Sequence, residues 1–328
     1  MKEVEVLGQS MGKAAGLPTL QKGFCLVLTI LIVTHITSQS TIAQVKNYDD
    51  GWQNDIQVSG GRTILVEEIS ATWCVSCADI DPYLQQVADA HGSRISIVTY
   101  HPADGEDAFQ PEAAKQRIDR MRLVHENIGA TPTFVVESGQ LRIGPNSWPD
   151  VQKDILMEET NRQSASQLSY TISQNGTTYN AKINPLSLVD TEYNTQLTFM
   201  LMVHEKAVPD GYINPGEAYR DRVVVATASC ELQSNSLTNI GFTNSSANNC
   251  DDDFSVYFTT DGKFSLILIH EATNEVVESD TGRASTLGVV EFAYRDIELT
   301  SEVNILPYIF FTMISIGVIW VIYDKKYS

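Results

Sequence analysis

The chain is short of positive charge. Among 328 residues, 22 Lys and Arg stand against 41 Asp and Glu, a formal net charge of −19. No basic face can be assembled to neutralise phosphates, which excludes nucleic acid as a partner. Cysteine is scarce as well: five are too few to staple a miniprotein, and an odd number leaves one outside any full pairing. The six histidines form no H-E-x-x-H or similar cluster. The single C-x-x-C has neither a second such pair nor a His pair to complete four ligands, so no metal is expected. What the chain does have is apolar residues, at 43% with 9% aromatic, enough to build real cores and to exclude wholesale disorder. Its length suggests about two domains.

Two apolar clusters lie near the ends. Residues 24–36 follow Lys13 and Lys22, carry no charge, and are followed by Thr41-Ile42-Ala43, whose small residues suit a signal peptidase. Residues 1–43 therefore read as a signal peptide or, if uncleaved, a signal-anchor; Met11 is an alternative start. Residues 305–323 hold 19 uncharged residues with Tyr308, Trp320 and Tyr323 toward the ends. Asp324-Lys325-Lys326 follows. The expectation is a transmembrane helix over 304–323 with a cytoplasmic tail over 324–328. That makes a single-pass protein of the cell membrane, embedded in the lipid bilayer by its C-terminal helix, with an acidic ectodomain outside the cytoplasm.

Within the ectodomain, a lead-in over 44–62 precedes a strand-type run at 63–69 that ends in Ser70-Ala71-Thr72-Trp73-Cys74-Val75-Ser76-Cys77. From Ala78 the periodicity is helical, with Ile80, Tyr83, Leu84, Val87 and Ala88 on one face and His91-Gly92 as its end. A second apolar strand covers 95–100. Strand, helix and strand in this spacing make a right-handed parallel unit. A helix over 110–127, a strand at 134–137 with a hairpin partner at 141–143, and a helix over 148–163 complete the pattern.

This order resembles the thioredoxin-like superfamily, on three separated landmarks. Trp73-Cys74-Val75-Ser76-Cys77 stands where the first strand meets a helix. Glu68 stands six residues before the first cysteine, where the family carries a buried acid. Thr131-Pro132 stands where the family has a cis-proline opposite its cysteines. The resemblance implies an α/β thioredoxin-like domain over 63–164, with Cys74 as nucleophile, Cys77 as resolving thiol and Glu68 as proton relay. Trp73, Thr131 and Pro132 would face the substrate. Glu67 points to the other face of its strand, so either acid is a candidate for the inward position. The pair between the cysteines lacks a histidine, and Ala78 stands where many relatives place proline.

The chemistry fits that slot. Two cysteines three apart at a helix start can close a small disulfide, and the free N–H groups of the first turn hold the Cys74 thiolate below the free value of about 8.5. The thiolate attacks a substrate disulfide and the second thiol resolves the mixed disulfide. No dissolved cofactor is required, because the disulfide carries the two electrons. A static disulfide is the alternative reading of the same pair.

From Gln167 the pattern changes to period two. Hairpins are expected around Asn175-Gly176 and, between strands at 254–258 and 264–270, around Asp261-Gly262. About seven strands over 165–301 suggest an all-β, sandwich-like domain. Cys230 and Cys250 bracket a Ser/Asn-rich loop and would bond in an oxidising compartment, contributing about 3 kcal/mol. Asn175 and Asn244 lie in glycosylation sequons. A thioredoxin-like domain followed by such a β domain resembles exported outer-membrane lipoprotein-type proteins of that superfamily, although this chain lacks a lipidation cysteine.

The expected function is a membrane-anchored, extracytoplasmic thiol–disulfide oxidoreductase whose partners are protein or peptide thiols and disulfides and a membrane redox partner. The alternative is a non-catalytic cell-surface binding or adhesion protein built on the same scaffold.

Overall fold

The computed structural model describes residues 44–296. In chain order the strands of the first half are β1 (Gln44–Lys46), β2 (Ile56–Gly60), β3 (Ile64–Ile69), β4 (Ile95–Tyr100), β5 (Thr133–Val136) and β6 (Arg142–Ile143), with helices α1 (Val75–His91), α2 (Glu112–Val124) and α3 (Trp148–Asn161) between and after them. The second half contributes β7 (Leu168–Asn175), β8 (Thr178–Ile183), β9 (Thr195–Val203), β10 (Lys206–Ala207), β11 (Tyr219–Arg220) and β12 (Val223–Glu231). Then follow β13 (Leu237–Ile240), β14 (Asn244–Ser246), β15 (Ser255–Thr259), β16 (Phe264–Ala272), the short α4 (Asn274–Ser279) and β17 (Gly288–Tyr294).

The fold class expected from sequence needs correction. The described chain is mostly β, and its strands do not divide into an α/β domain followed by a separate all-β one. A mixed ten-stranded sheet runs through both halves in the order β1-β17-β16-β9-β12-β4-β3-β5-β6, with β13 beside β12. The join is β12 beside β4 in parallel, Val223 opposite Thr99. Sequence periodicity shows which strands are buried but not their pairing, so a boundary drawn where the period changes misses a sheet that crosses it. The lead-in is also woven into the second half: β1 pairs with β17, and β2 with β7.

A five-stranded sheet, β14-β15-β8-β7-β2, packs on the distal part of the large one. The aromatic core between them includes Tyr170, Phe199, Phe254, Phe258, Phe264 and Phe292. The β15–β16 hairpin expected around Asp261-Gly262 is absent: β15 pairs with β8, whereas β16 pairs with β9 and β17. The chain instead crosses between sheets there, and Phe258 meets Phe264 across the sandwich with ring centroids 5.1 Å apart. Cys230 and Cys250 are disulfide-bonded with Cα atoms 5.5 Å apart, inside this core.

The transmembrane helix and membrane localisation also need correction. No helix among the described residues is long and apolar enough to cross a membrane. The segments on which the signal, the span at 304–323 and the tail at 324–328 were expected lie outside the described residues, so no structural support remains for a single-pass anchor.

Alternation in β3 positions the first half. Ile64 and Val66 pack with Ile80, Leu84 and Val87 of α1, whereas Leu65 and Ile69 pack with Ala114, Ile118 and Met121 of α2. Because side chains alternate across a strand, Glu68 belongs to the α1 face and Glu67 to the α2 face. On the α2 face, Arg117 donates to both oxygens of Glu271 at 2.9 and 3.0 Å and to Glu67 at 3.2 Å. Arg120 stands 3.3 Å from Glu271. Thr198 and Gln196 add hydrogen bonds to Glu271 at 2.7 and 3.0 Å. Burial raises the Glu271 carboxyl, but Arg117, Arg120 and the hydrogen bonds from Thr198 and Gln196 together outweigh that and bring it to about 2.

This cluster yields a prediction. Glu271→Gln leaves two buried guanidinium groups short of their counter-ion, and breaking a buried pair typically costs about 3–5 kcal/mol. Denaturant unfolding should show a loss in that range, with both halves melting together. A loss below about 1 kcal/mol would show that the cluster does not hold them together.

Candidate functional site

The Cys74–Cys77 pair sits where β3 delivers the chain to α1. Cys74 is the N-cap of α1, in extended conformation, and its Sγ accepts the Cys77 N–H at 3.1 Å. The Ser76 hydroxyl lies 3.5 Å from the same sulfur. The two cysteines are disulfide-bonded with Cα atoms 5.2 Å apart. Cys77 is fully buried, Cys74 is 4% exposed, and Val75 between them is 65% exposed. A helix N-cap sulfur offers its lone pairs to otherwise unpaired N–H groups, an arrangement that favours a thiolate once the disulfide opens.

The loop before Cys74 is held rigidly. The Asp107 carboxylate accepts from the Thr72 N–H at 2.8 Å and lies 2.8 Å from Nδ1 of buried His101. Burial raises the Asp107 carboxyl, but its bonds with His101 and the backbone outweigh that and lower it. The indole of half-buried Trp73 donates to Asp104 at 3.0 Å. The Thr131–Pro132 bond is cis. Thr133 pairs with Ile69, which places Thr131-Pro132 at the same end of the sheet as the loop carrying the cysteines. Thr131 is half-buried and Pro132 buried.

Glu68 is 1% exposed. Its Oε2 accepts from Thr99 at 3.0 Å, while its Oε1 has no hydrogen-bond partner among the described residues. Burial, and then the charge of Asp81, raise its carboxyl well above the ordinary range against the lowering pull of Thr99 and Arg222. Glu68 lines a cavity of about 210 Å³, together with Ala78, Asp81, Gln85, Arg220 and Arg222. Glu67 is bonded to Tyr100 and Arg117 on the opposite side, so of the two acids it is Glu68 that shares a face with the cysteine-bearing helix.

Sequence reasoning missed the rest of this cavity. From Cys77, every fourth residue of α1 is polar: Asp81, Gln85, Asp89. Each meets an arginine from the second half. Arg220 stands 3.5 Å from Asp81, Arg222 donates to Gln85, and Arg295 pairs with Asp89. The four-residue spacing was a readable sign of a polar helix face. Its partners, some 140 to 206 positions away, were not readable. Gly216 brings the loop between β10 and β11 against the same helix: a Cβ there would lie 2.7 Å from that of Ala78. Burial raises the Asp81 carboxyl to about 7, outweighing the ion pair with Arg220.

Both raised carboxyls hold protons in the folded chain that the unfolded chain releases near pH 4. Their contribution to stability is therefore full below about pH 4 and declines as pH rises, for Asp81 through about 7. Asp81→Asn should be nearly neutral at pH 4 and stabilising at pH 8, measured by urea unfolding at both. An equal effect at the two pH values would refute the assignment.

No known protein family matches the sequence, and no curated protein matches it. Among solved structures, HBP35 of Porphyromonas gingivalis aligns with a TM-score of 0.48 at 14% identity, over 74% of this chain and 79% of that one. A structural-genomics target from Agrobacterium tumefaciens aligns with a TM-score of 0.45 at 11% identity, over 74% of this chain and 99% of that one. At these scores neither assigns a fold or an activity. The expectation of a redox-active centre at the C-x-x-C thus gains no support from these likenesses; what this chain itself presents is two disulfide pairs and the geometry around them.

Proposed function

We propose that the protein is a thiol–disulfide oxidoreductase of the thioredoxin kind, acting on protein or peptide disulfides through Cys74 and Cys77. The observation that carries this reading is the N-cap position of Cys74, whose Sγ receives the Cys77 N–H at 3.1 Å, at the sheet end shared with cis Thr131–Pro132. In the reduced form the Cys74 thiolate attacks one sulfur of a substrate disulfide. That S–S bond breaks, and the departing substrate sulfur takes a proton. Cys77 then loses its proton, attacks the Cys74 sulfur and closes the protein disulfide, releasing the second substrate sulfur. Two electrons pass from the dithiol to the substrate, and the reverse sequence oxidises it. Trp73 and the Thr131-Pro132 segment flank the approach, and Glu68, once it has given up the proton that it holds at rest, receives the Cys77 proton.

A second reading, a binding protein with a static disulfide, draws on one observation: Cys74 is only 4% exposed. Substrate access to its sulfur then depends on movement around Val75.

The two readings separate cleanly. Disulfide exchange with insulin or a mixed-disulfide peptide should vanish in Cys74→Ser. In Cys77→Ser a substrate should remain covalently attached to Cys74, visible as an added mass that a reductant removes. Exchange retained in Cys74→Ser, or no attachment in Cys77→Ser, would leave the static reading.

A further inference from the structure

The cavity behind the cysteines joins a buried acid to a solvent-touching one. Glu68 is shut away, whereas Asp81 is 23% exposed at its side chain and lies on the cavity wall. Three residues of the cavity lining carry polar atoms without a hydrogen-bond partner among the described residues: Oε1 of Glu68, Oδ1 of Asp81 and Nε of Arg220. Pro82, also on the wall, has no N–H to offer the Ala78 carbonyl one turn back in α1. A polar volume of about 210 Å³ is well above what a single water needs. Polar walls, several unbonded acceptors and sufficient volume are the conditions under which buried water is retained.

We propose that Asp81 relays protons between Glu68 and bulk water through this cavity, and that Arg220, supplied by the second half of the chain, keeps Asp81 able to release them. The inference rests on the oxidoreductase reading, because the relay readies Glu68 for the proton that Cys77 gives up. Glu68 holds a proton in the resting fold and first gives it up across the cavity that it shares with Asp81. Asp81 takes that proton and hands it to solvent. As a carboxylate, Glu68 then accepts the proton of Cys77 while that thiol attacks the Cys74 sulfur, so release of the substrate waits on the relay. No net charge is left behind and no further reactant is needed.

The charged groups around the path are consistent with this role. Asp81 faces Glu68 of β3, Arg220 of β11 and the adjoining Asp221; Glu68 faces Asp81 and Arg222. Glu217 and Tyr219 complete the rim. Asp81 titrates at about 7, so it changes protonation in the range where a relay must both take and give a proton. Removing Arg220 takes away the attraction that lowers the Asp81 carboxyl and would keep it protonated to higher pH. Arg220 also bonds Asn214 at 2.6 Å and the Glu217 carbonyl at 2.7 Å, so the loop between β10 and β11 fixes its position.

The test is a single-turnover measurement on the full chain. A peptide is loaded on Cys74 as the mixed disulfide, and its release by Cys77 is followed from pH 5 to 9. Asp81→Asn should slow release at pH 7 by about tenfold, less than the roughly hundredfold of a directly acting acid–base group. Asp81→Glu should restore most of the rate. Arg220→Gln should move the pH midpoint of release upward while leaving the alkaline plateau in place. Carboxyl NMR of the oxidised protein supplies a readout independent of turnover: the Glu68 titration should shift downward in Asp81→Asn. Normal formation of the mixed disulfide with unchanged release in Asp81→Asn at every pH would overturn the relay alone. A wild-type chain that never forms the mixed disulfide would overturn the oxidoreductase reading, and the relay with it.

Discussion

The Thr99 N–H donates to the Arg222 carbonyl at 3.0 Å, and the adjacent Val223 enters the sheet opposite Thr99. From this short parallel join follows the placement of nearly everything else. It sets β12 beside β4, so that α2 lies across strands of both halves and Met121 shares a core with Met200, Met202 and Val224. It brings Arg220 and Arg222 over α1 on the other face. Without it, Glu68 would open to solvent on one side instead of lining a cavity, and the burial that raises its carboxyl would be lost.

Charge does much of the docking on both faces of this sheet. Beneath α2 the contact is Glu67, Arg117, Arg120 and Glu271; beside α1 it is the run of Asp81, Gln85 and Asp89 against three arginines. Buried pairs of this kind add little net stability over an apolar contact of the same shape, but they tolerate few alternative geometries. An apolar seam lets a helix slide by part of a turn. A run of directional bonds does not, and α1 is the helix whose first turn presents the Cys74 sulfur. Another buried carboxylate has a similar role further along: Glu137 accepts from the Leu65 N–H at 2.8 Å and from Thr286 of the second half, and pairs with Arg162 at 2.6 Å.

Local pattern made the first half legible. The apolar runs of β3 and β4, the helical faces of α1 and α2 and the position of Cys74 at a helix start all follow from short-range periodicity, and the described elements lie close to where that periodicity puts them. The choice between Glu67 and Glu68 was not legible, because strand alternation shows that two neighbours face opposite ways without showing which helix covers which face. Likewise nothing local marks an Asp of α1 whose cation arrives from 139 positions further on. The Asp261-Gly262 turn was misread for a related reason. A turn signal between two apolar strands fits a hairpin and a crossing between sheets equally well, and only the pairing of β15 with β8 decides.

The pairing of β1 with β17 has a consequence for how the chain comes into being. Residues 44–46 find their neighbours at 292–294, and β2 finds β7 more than a hundred positions later. Contacts so distant in sequence slow folding, because the loop between them must close before they reward it. During synthesis, β4 emerges with an open edge long before β12 arrives to cover it. An uncovered strand edge is a template for pairing with another chain. The newborn protein therefore passes through a stage in which Cys74 and Cys77 are already available for oxidation while its sheet is incomplete, and that interval is when a wrong disulfide or an aggregate would form.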